Sequence, residues 1–243
     1  MRIVTLLLLL VTAGCATPVR AERQEALSVK AVLVAAESSI RAFDNATGRF
    51  ANALAARVAP DTASIVRFSN RPIPGTKRSG LPGILRAIEM MQAGSNEQCL
   101  IYVTGHGSPD EGVSLPRSDD FLRPNALSRA LVRGCGDRPT VVVISACFSG
   151  SFAAGGVVRD NRIVLTAARQ DRPSFGCGIQ DKFTYFDGCF LSAFEDKLST
   201  TWEDVARSAI ACVGRLEQAS DFEPSEPQLY VGSAVAGLKL PRS

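Results

Sequence analysis
Residues 140–146, TVVVISA, form the most continuously apolar strand-like run in the chain. A strand without polar alternation has to be covered on both faces, which happens in parallel sheets whose crossover helices lie on either side. Its surroundings fit that requirement. AVLVAA (31–36), SIVRFS (64–69), CLIYVT (99–104), RIVLTA (162–167) and QLYVGS (228–233) read as further strands. Between them DNATGRFANALAARV (44–58), LPGILRAIEMMQA (81–93) and PNALSRALVRG (124–134) read as helices, as do segments around 188–198 and from 201 to about 219. Pro82 suits a first helical turn, and Gly134 a helix end. Strands alternating with helices predict an α/β fold, a mostly parallel sheet with helices on both faces. Right-handed crossovers put the ends of the parallel strands on one edge, where sites of this class are built.

Composition bounds the rest. Hydrophobic residues make up 46% of the 243 and charged residues 21%, ordinary globular values that predict one substantial core. The 27 basic and 24 acidic residues are scattered rather than gathered into a stripe, which argues against a nucleic-acid partner. Residues 1–15, MRIVTLLLLLVTAGC, have one positive charge, a short apolar run and a small-residue ending, the pattern of a signal peptide too short to span a bilayer. TAGC resembles a bacterial lipobox, with Thr12 where an aliphatic residue is commonest. That resemblance implies lipidation of Cys15, anchorage in the cell envelope and, with Ala16 next, an outer-membrane lipoprotein facing the periplasm. The alternative is cleavage near Ala16 or Ala21 and a soluble secreted protein. Residues 16–28 read as a tether and 29–243 as a single domain.

Two strand ends carry the chemistry. CLIYVT runs into Gly105-His106-Gly107, and His106 is the only histidine in the chain; TVVVISA runs into Cys147. A thiol becomes a strong nucleophile as thiolate, and a neighbouring imidazole can take its proton. That base can only be His106, which can then return the proton to a leaving amine. Gly107 and Cys147 can turn their N–H groups toward a developing oxyanion. Singly, a loop histidine and a cysteine behind a buried strand read as structural. Together on one edge they favour acyl transfer. With no second histidine and no C-x-x-C pair, a metal site is not expected, nor is a cofactor.

TGHG (104–107) and SACFSG (145–150) resemble the T-[GD]-H-G and E-A-C-x-S-G motifs of the legumain family of cysteine peptidases, relatives of caspases. The likeness extends to VLVAAESSIRAFDNA (32–46), LTAARQDRPSFGC (165–177) and FTYFDGCF (183–190). It implies a caspase-like three-layer sandwich around a sheet of about six strands. It also implies a Cys147–His106 dyad and a protein or peptide substrate. The family pocket for a P1 asparagine maps onto Asp44, Asn45, Ser145 and Asp187, with Ser174 on the segment that walls it. Its arginine becomes Asp44, its glutamate Ser145, and the asparagine that assists the catalytic histidine becomes Ala42. If Asp187 faces the same pocket, Asp44 makes it acidic and predicts Lys or Arg at P1; alternatively Asp44 is the N-cap of helix 44–58.

The remaining cysteines leave several pairings open. Cys99 and Cys135 suit a disulfide at the opposite edge, Cys177 and Cys189 bracket the pocket loop, and Cys212 reads as a buried free thiol. Thr200 or Thr201 caps the helix at Trp202, and Asp110 and Glu111 read as a solvated loop tip beside the histidine, with one of them orienting the imidazole as the alternative. The sequence points to a signal-bearing cysteine endopeptidase. The alternatives are a transamidase or ligase using the same site, and a non-catalytic envelope scaffold. Oligomeric state is left open.

Overall fold
The computed structural model describes residues 27–58 and 63–241. The signal segment, Cys15 and nearly all of the expected tether lie outside the described residues. Ten strands and five α-helices follow one another among those described. They are β1 (Ser28–Ala35), α1 (Arg41–Arg57), β2 (Ala63–Phe68), β3 (Thr76–Lys77), α2 (Leu81–Glu89), β4 (Glu97–Thr104), β5 (Gly107–Ser108) and β6 (Gly112–Leu115). Then come β7 (Asp120–Leu122), α3 (Pro124–Cys135), β8 (Thr140–Ser145), β9 (Arg162–Thr166), α4 (Tyr185–Glu195), α5 (Trp202–Ala219) and β10 (Gln228–Val231).

Seven strands form the main sheet in the order β10-β9-β8-β4-β1-β2-β3, parallel throughout except for β10, which runs antiparallel at one edge. Every residue of β8 is buried, as its unbroken apolar run requires. The strands' two-residue period deals their side chains into two cores. Val29, Ala31, Leu33, Leu100, Tyr102, Val141 and Val143 meet Phe50 and Leu54 of α1, Phe190 and Phe194 of α4, and Val205 and Val213 of α5. Val32, Val34, Ile101, Val103, Val142 and Ile144 meet Ile84 and Ile88 of α2 and Leu127 and Leu131 of α3. The result is the expected three-layer α/β sandwich, with one strand more than anticipated because β3 adds two residues at the far edge.

Disulfides tie the helices down. Cys99–Cys135 joins β4 to the end of α3, and Cys189–Cys212 joins α4 to α5. The second corrects two expectations, since Cys212 is not a free thiol and Cys189 does not pair with Cys177. The cause is that α4 and α5 are neighbours in the same layer, which brings Cys189 and Cys212 together; Cys147 and Cys177 remain as thiols. Thr201 does cap α5, in a reciprocal capping box with Asp204 whose backbone donors hold that carboxyl down at about 2.

Register places the strand ends. Ala35 of β1 pairs with Thr104 of β4, and Thr104 pairs with Ser145 of β8. The alignment persists past the strands, because Ala36 N–H donates to the Thr104 carbonyl at 2.9 Å and Gly105 N–H to the Ser145 carbonyl at 3.1 Å. Two residues beyond each paired position stand Glu37, His106 and Cys147, past the ends of three adjacent strands.

Candidate active site
The glycines flanking His106 are required by how closely these strand ends approach. A Cβ on Gly105 would lie 2.6 Å from the Cβ of Ala36. One on Gly107 would lie 1.8 Å from the Cys147 carbonyl oxygen and 3.1 Å from its nitrogen, so the two backbones touch where both N–H groups were expected to serve an oxyanion. The His106 carbonyl accepts the Ser114 N–H at 2.8 Å, and β5, β6 and β7 form a small antiparallel sheet that fixes the loop behind the histidine. Phe43, from α1, meets the His106 ring in a perpendicular contact, 5.4 Å between centroids. The imidazole is otherwise 43% open to solvent, accessible to a substrate.

Cys147 leaves β8 through Ala146 into a turn in which the next residue, Phe148, adopts φ of +57°, an uncommon and strained conformation for a bulky residue. Its Sγ accepts the Ser174 N–H at 3.2 Å, with the Ser174 hydroxyl at 3.6 Å. The Ser174 carbonyl lies 3.5 Å from the same sulfur, so this residue surrounds Sγ with both a donor and an acceptor. Ser174, anticipated as a pocket residue, therefore touches the nucleophile candidate directly.

The other expected pocket residues are not brought together. Asp187 is fully buried, and its two carboxylate oxygens accept hydrogen bonds from the Tyr102 hydroxyl at 2.5 Å and the Thr104 hydroxyl at 2.7 Å. Burial pushes this carboxyl above its ordinary range, against the pull of those donors, and burial also drives the Tyr102 hydroxyl well up. Ser145 is 2% exposed and its hydroxyl lies 3.4 Å from that of Thr184, which caps α4 by accepting the Asp187 N–H. Both residues serve the floor of the fold, beneath any substrate.

Asp44 stands apart from them, 6% exposed, with Oδ2 at 2.9 Å from Arg71 Nε in an ion pair whose geometry is not that of a hydrogen bond. It is not an N-cap either. Helix α1 begins three residues earlier, with Ile40 as its extended, largely buried cap residue, and Asp44 lies in the first turn. A cavity of about 260 Å³ is lined by Arg41, Asp44, Asn45, Arg71 and Ile73. The acidic pocket built from Asp44 and Asp187 is thus not formed, because one carboxylate faces inward and the other is matched by an arginine. Asn45 is exposed and donates to the Lys182 carbonyl at 3.0 Å, fastening α1 to the loop before α4.

Ala42 is buried among Ala35, Ile40 and Phe43, out of reach of a helper's role. What sequence reasoning missed is Glu37, whose Oε1 lies 3.4 Å from His106 Nε2. No motif marks it, and only strand register brings it there. Asp110 is exposed, and Glu111 pairs with Arg123 at 3.2 Å, consistent with a loop tip.

A sequence model described as the Peptidase C13 family matches residues 81–231, which contain both strand-end motifs. Among solved structures, caspase-1 from Spodoptera frugiperda superposes with a TM-score of 0.54 over 84% of this chain and 85% of that one, at 12% identity, a likeness of fold. A search of curated proteins finds no match.

Proposed function
We propose, because this chain belongs to the peptidase C13 family and is a cysteine-type endopeptidase, that Cys147 is its nucleophile and His106 its general base and acid. The observation that carries this reading is the β4–β8 register, which pairs Thr104 with Ser145, each two residues before His106 and Cys147. In the proposed cycle His106 takes the thiol proton as Sγ attacks the scissile carbonyl. The Gly107 and Cys147 N–H groups receive the oxyanion, and His106 protonates the departing amine. Water activated by the same imidazole then hydrolyses the thioester.

The substrate is a protein or peptide whose scissile bond lies at Cys147 beside Ser174, with Asp44 and Asn45 of α1 as the candidates to contact the P1 residue. A lysine or arginine there would have to displace Arg71 from Asp44, so acidity alone does not select it. The test is a peptide panel varied at P1, turned over by the wild type and by Cys147→Ala and His106→Ala. Turnover should be lost in both variants; wild-type rates in either would refute the dyad.

For location, the reading is an exported protein held by lipid at Cys15 in the bacterial envelope. Two disulfides joining secondary-structure elements support an oxidising compartment. Fatty-acid labelling of the wild type that persists in Cys15→Ser would overturn the anchor.

A further inference from the structure
We infer that Glu37 is a positioning residue for His106, taking the place left empty by Ala42 and completing a line Glu37–His106–Cys147 across three adjacent strands. The inference rests on the dyad reading and deepens it.

Three observations carry it. The first is register: β1 and β4 run in parallel with Ala35 opposite Thr104, and Gly105 packs so tightly on Ala36 that the next residues, Glu37 and His106, have no freedom to slide apart. The second is contact: Glu37 Oε1 lies 3.4 Å from His106 Nε2, on the side of the ring reached from β1, while Cys147 stands on the strand to the other side. The third is the state of the carboxylate itself. Its side chain is only 14% exposed, and the Ser39 hydroxyl donates to the same Oε1 at 2.6 Å, which fixes that oxygen beside the ring.

Chemically, a carboxylate at Nε2 leaves Nδ1 as the nitrogen available to the thiol and opposes rotation of the ring about its Cβ–Cγ bond. Other charges near this line come from the pocket loop. Cys177 packs on Ala35, Ile40, Ala42 and Phe43, and its thiol, raised chiefly by burial, also feels Cys147, Asp181 and Glu37. None of these supplies a second carboxylate in contact with the imidazole. With Ser39 holding its oxygen, the Glu37 carboxylate restricts the ring to one orientation, the role that a neutral asparagine would also fill.

The experiment compares kcat and KM of wild type, Glu37→Ala, Glu37→Gln and Glu37→Asp, beside Cys147→Ala. Glu37→Ala should lower kcat by about 10–10²-fold, the scale of a misaligned base, with KM within about twofold. Glu37→Gln and Glu37→Asp, which keep an acceptor on that side of the ring, should recover part of the lost kcat. Wild-type kcat in Glu37→Ala, or no recovery in either conservative variant, would overturn the inference with the dyad intact. Turnover persisting in Cys147→Ala would instead bring down the dyad reading and the inference together.

Discussion

Replacing Gly107 with alanine perturbs the site through one added methyl group. The new Cβ would stand 1.8 Å from the Cys147 carbonyl oxygen and 2.8 Å from its carbonyl carbon. Ordinary contact begins near 3.4 Å, so the two backbones must part by about 1.5 Å. Both sides of this collision are main chain, and no rotamer change relieves it. On the proposed mechanism, the separation moves an oxyanion donor away from the carbon that Cys147 attacks. A misplacement of about 1 Å costs on the order of 10²-fold, and loss of one oxyanion donor about 10²–10³-fold, or roughly 2.7–4 kcal/mol of transition-state stabilisation. Because the donor acts on charge that appears only as the reaction proceeds, kcat should carry the loss and KM should move little. The assay is steady-state hydrolysis of the best substrate from the P1 panel, with thermal melts run alongside. Gly214→Ala is the control, since an added Cβ there meets nothing within 4 Å in the middle of α5. That change should leave kcat alone and stabilise the helix by about 0.8–1 kcal/mol. A folded Gly107→Ala enzyme with kcat within twofold of wild type would refute the assignment of the Gly107 N–H to the oxyanion.

Two further predictions concern the frame. Loops of 36 and 23 residues closed by Cys99–Cys135 and Cys189–Cys212 predict a loss of about 3.5–4 kcal/mol for each bond reduced, measured by denaturant unfolding with and without thiol. Peptide mapping that found Cys147 or Cys177 in either bond would contradict the pairing. Asp187→Ala would leave the buried Tyr102 and Thr104 hydroxyls without their acceptor and should cost about 2–5 kcal/mol. Since burial raises the folded Asp187 carboxyl above its unfolded value, the folded state holds its proton more tightly. Its contribution to stability is therefore full below the ordinary aspartate range, near pH 4, and declines as pH rises through the raised value. Asp187→Asn should flatten that decline in unfolding measured across pH; an unchanged slope would show that Asp187 is not its source.

The layers were legible because they follow from periodicity. The apolar run 140–146 announced a doubly covered strand, and the elements around it fall within a few residues of where pattern placed them. Pairing between elements was not legible to the same degree. Cys212 reads as one more apolar position until α5 is seen to lie against α4, where Cys189 meets it. Asp44 looks like a helix cap because aspartate caps helices well, yet burying Ile40 decides where α1 starts. The ribbon β5–β7 hides in a stretch rich in Ser, Pro, Asp and Gly, whose turns obscure any alternation. Asp187 reads as a pocket residue by resemblance, and only the Tyr102 and Thr104 hydroxyls beneath the sheet's edge show where its carboxylate turns.

Glu37 is the same lesson carried into chemistry. A helper for the histidine need not occupy a fixed place in the chain; it needs to end up beside β4, and two routes lead there from the end of β1. One is the first turn of α1, where Ala42 now fills a hydrophobic corner with Phe43. The other is the residue that the β1–β4 register delivers opposite His106, and that residue is Glu37. Taking the second route fixes the helper by main-chain hydrogen bonds of the sheet rather than by helix packing, while Phe43 still steadies the imidazole. On the proposed reading it also separates catalysis from recognition. The line Glu37–His106–Cys147 belongs to strand ends, whereas Asp44, Asn45, Arg71 and Ser174 belong to α1 and to loops. Substitutions that repartner Asp44 and Arg71 should therefore alter which side chain is accepted at P1 without disturbing the register on which proton transfer depends.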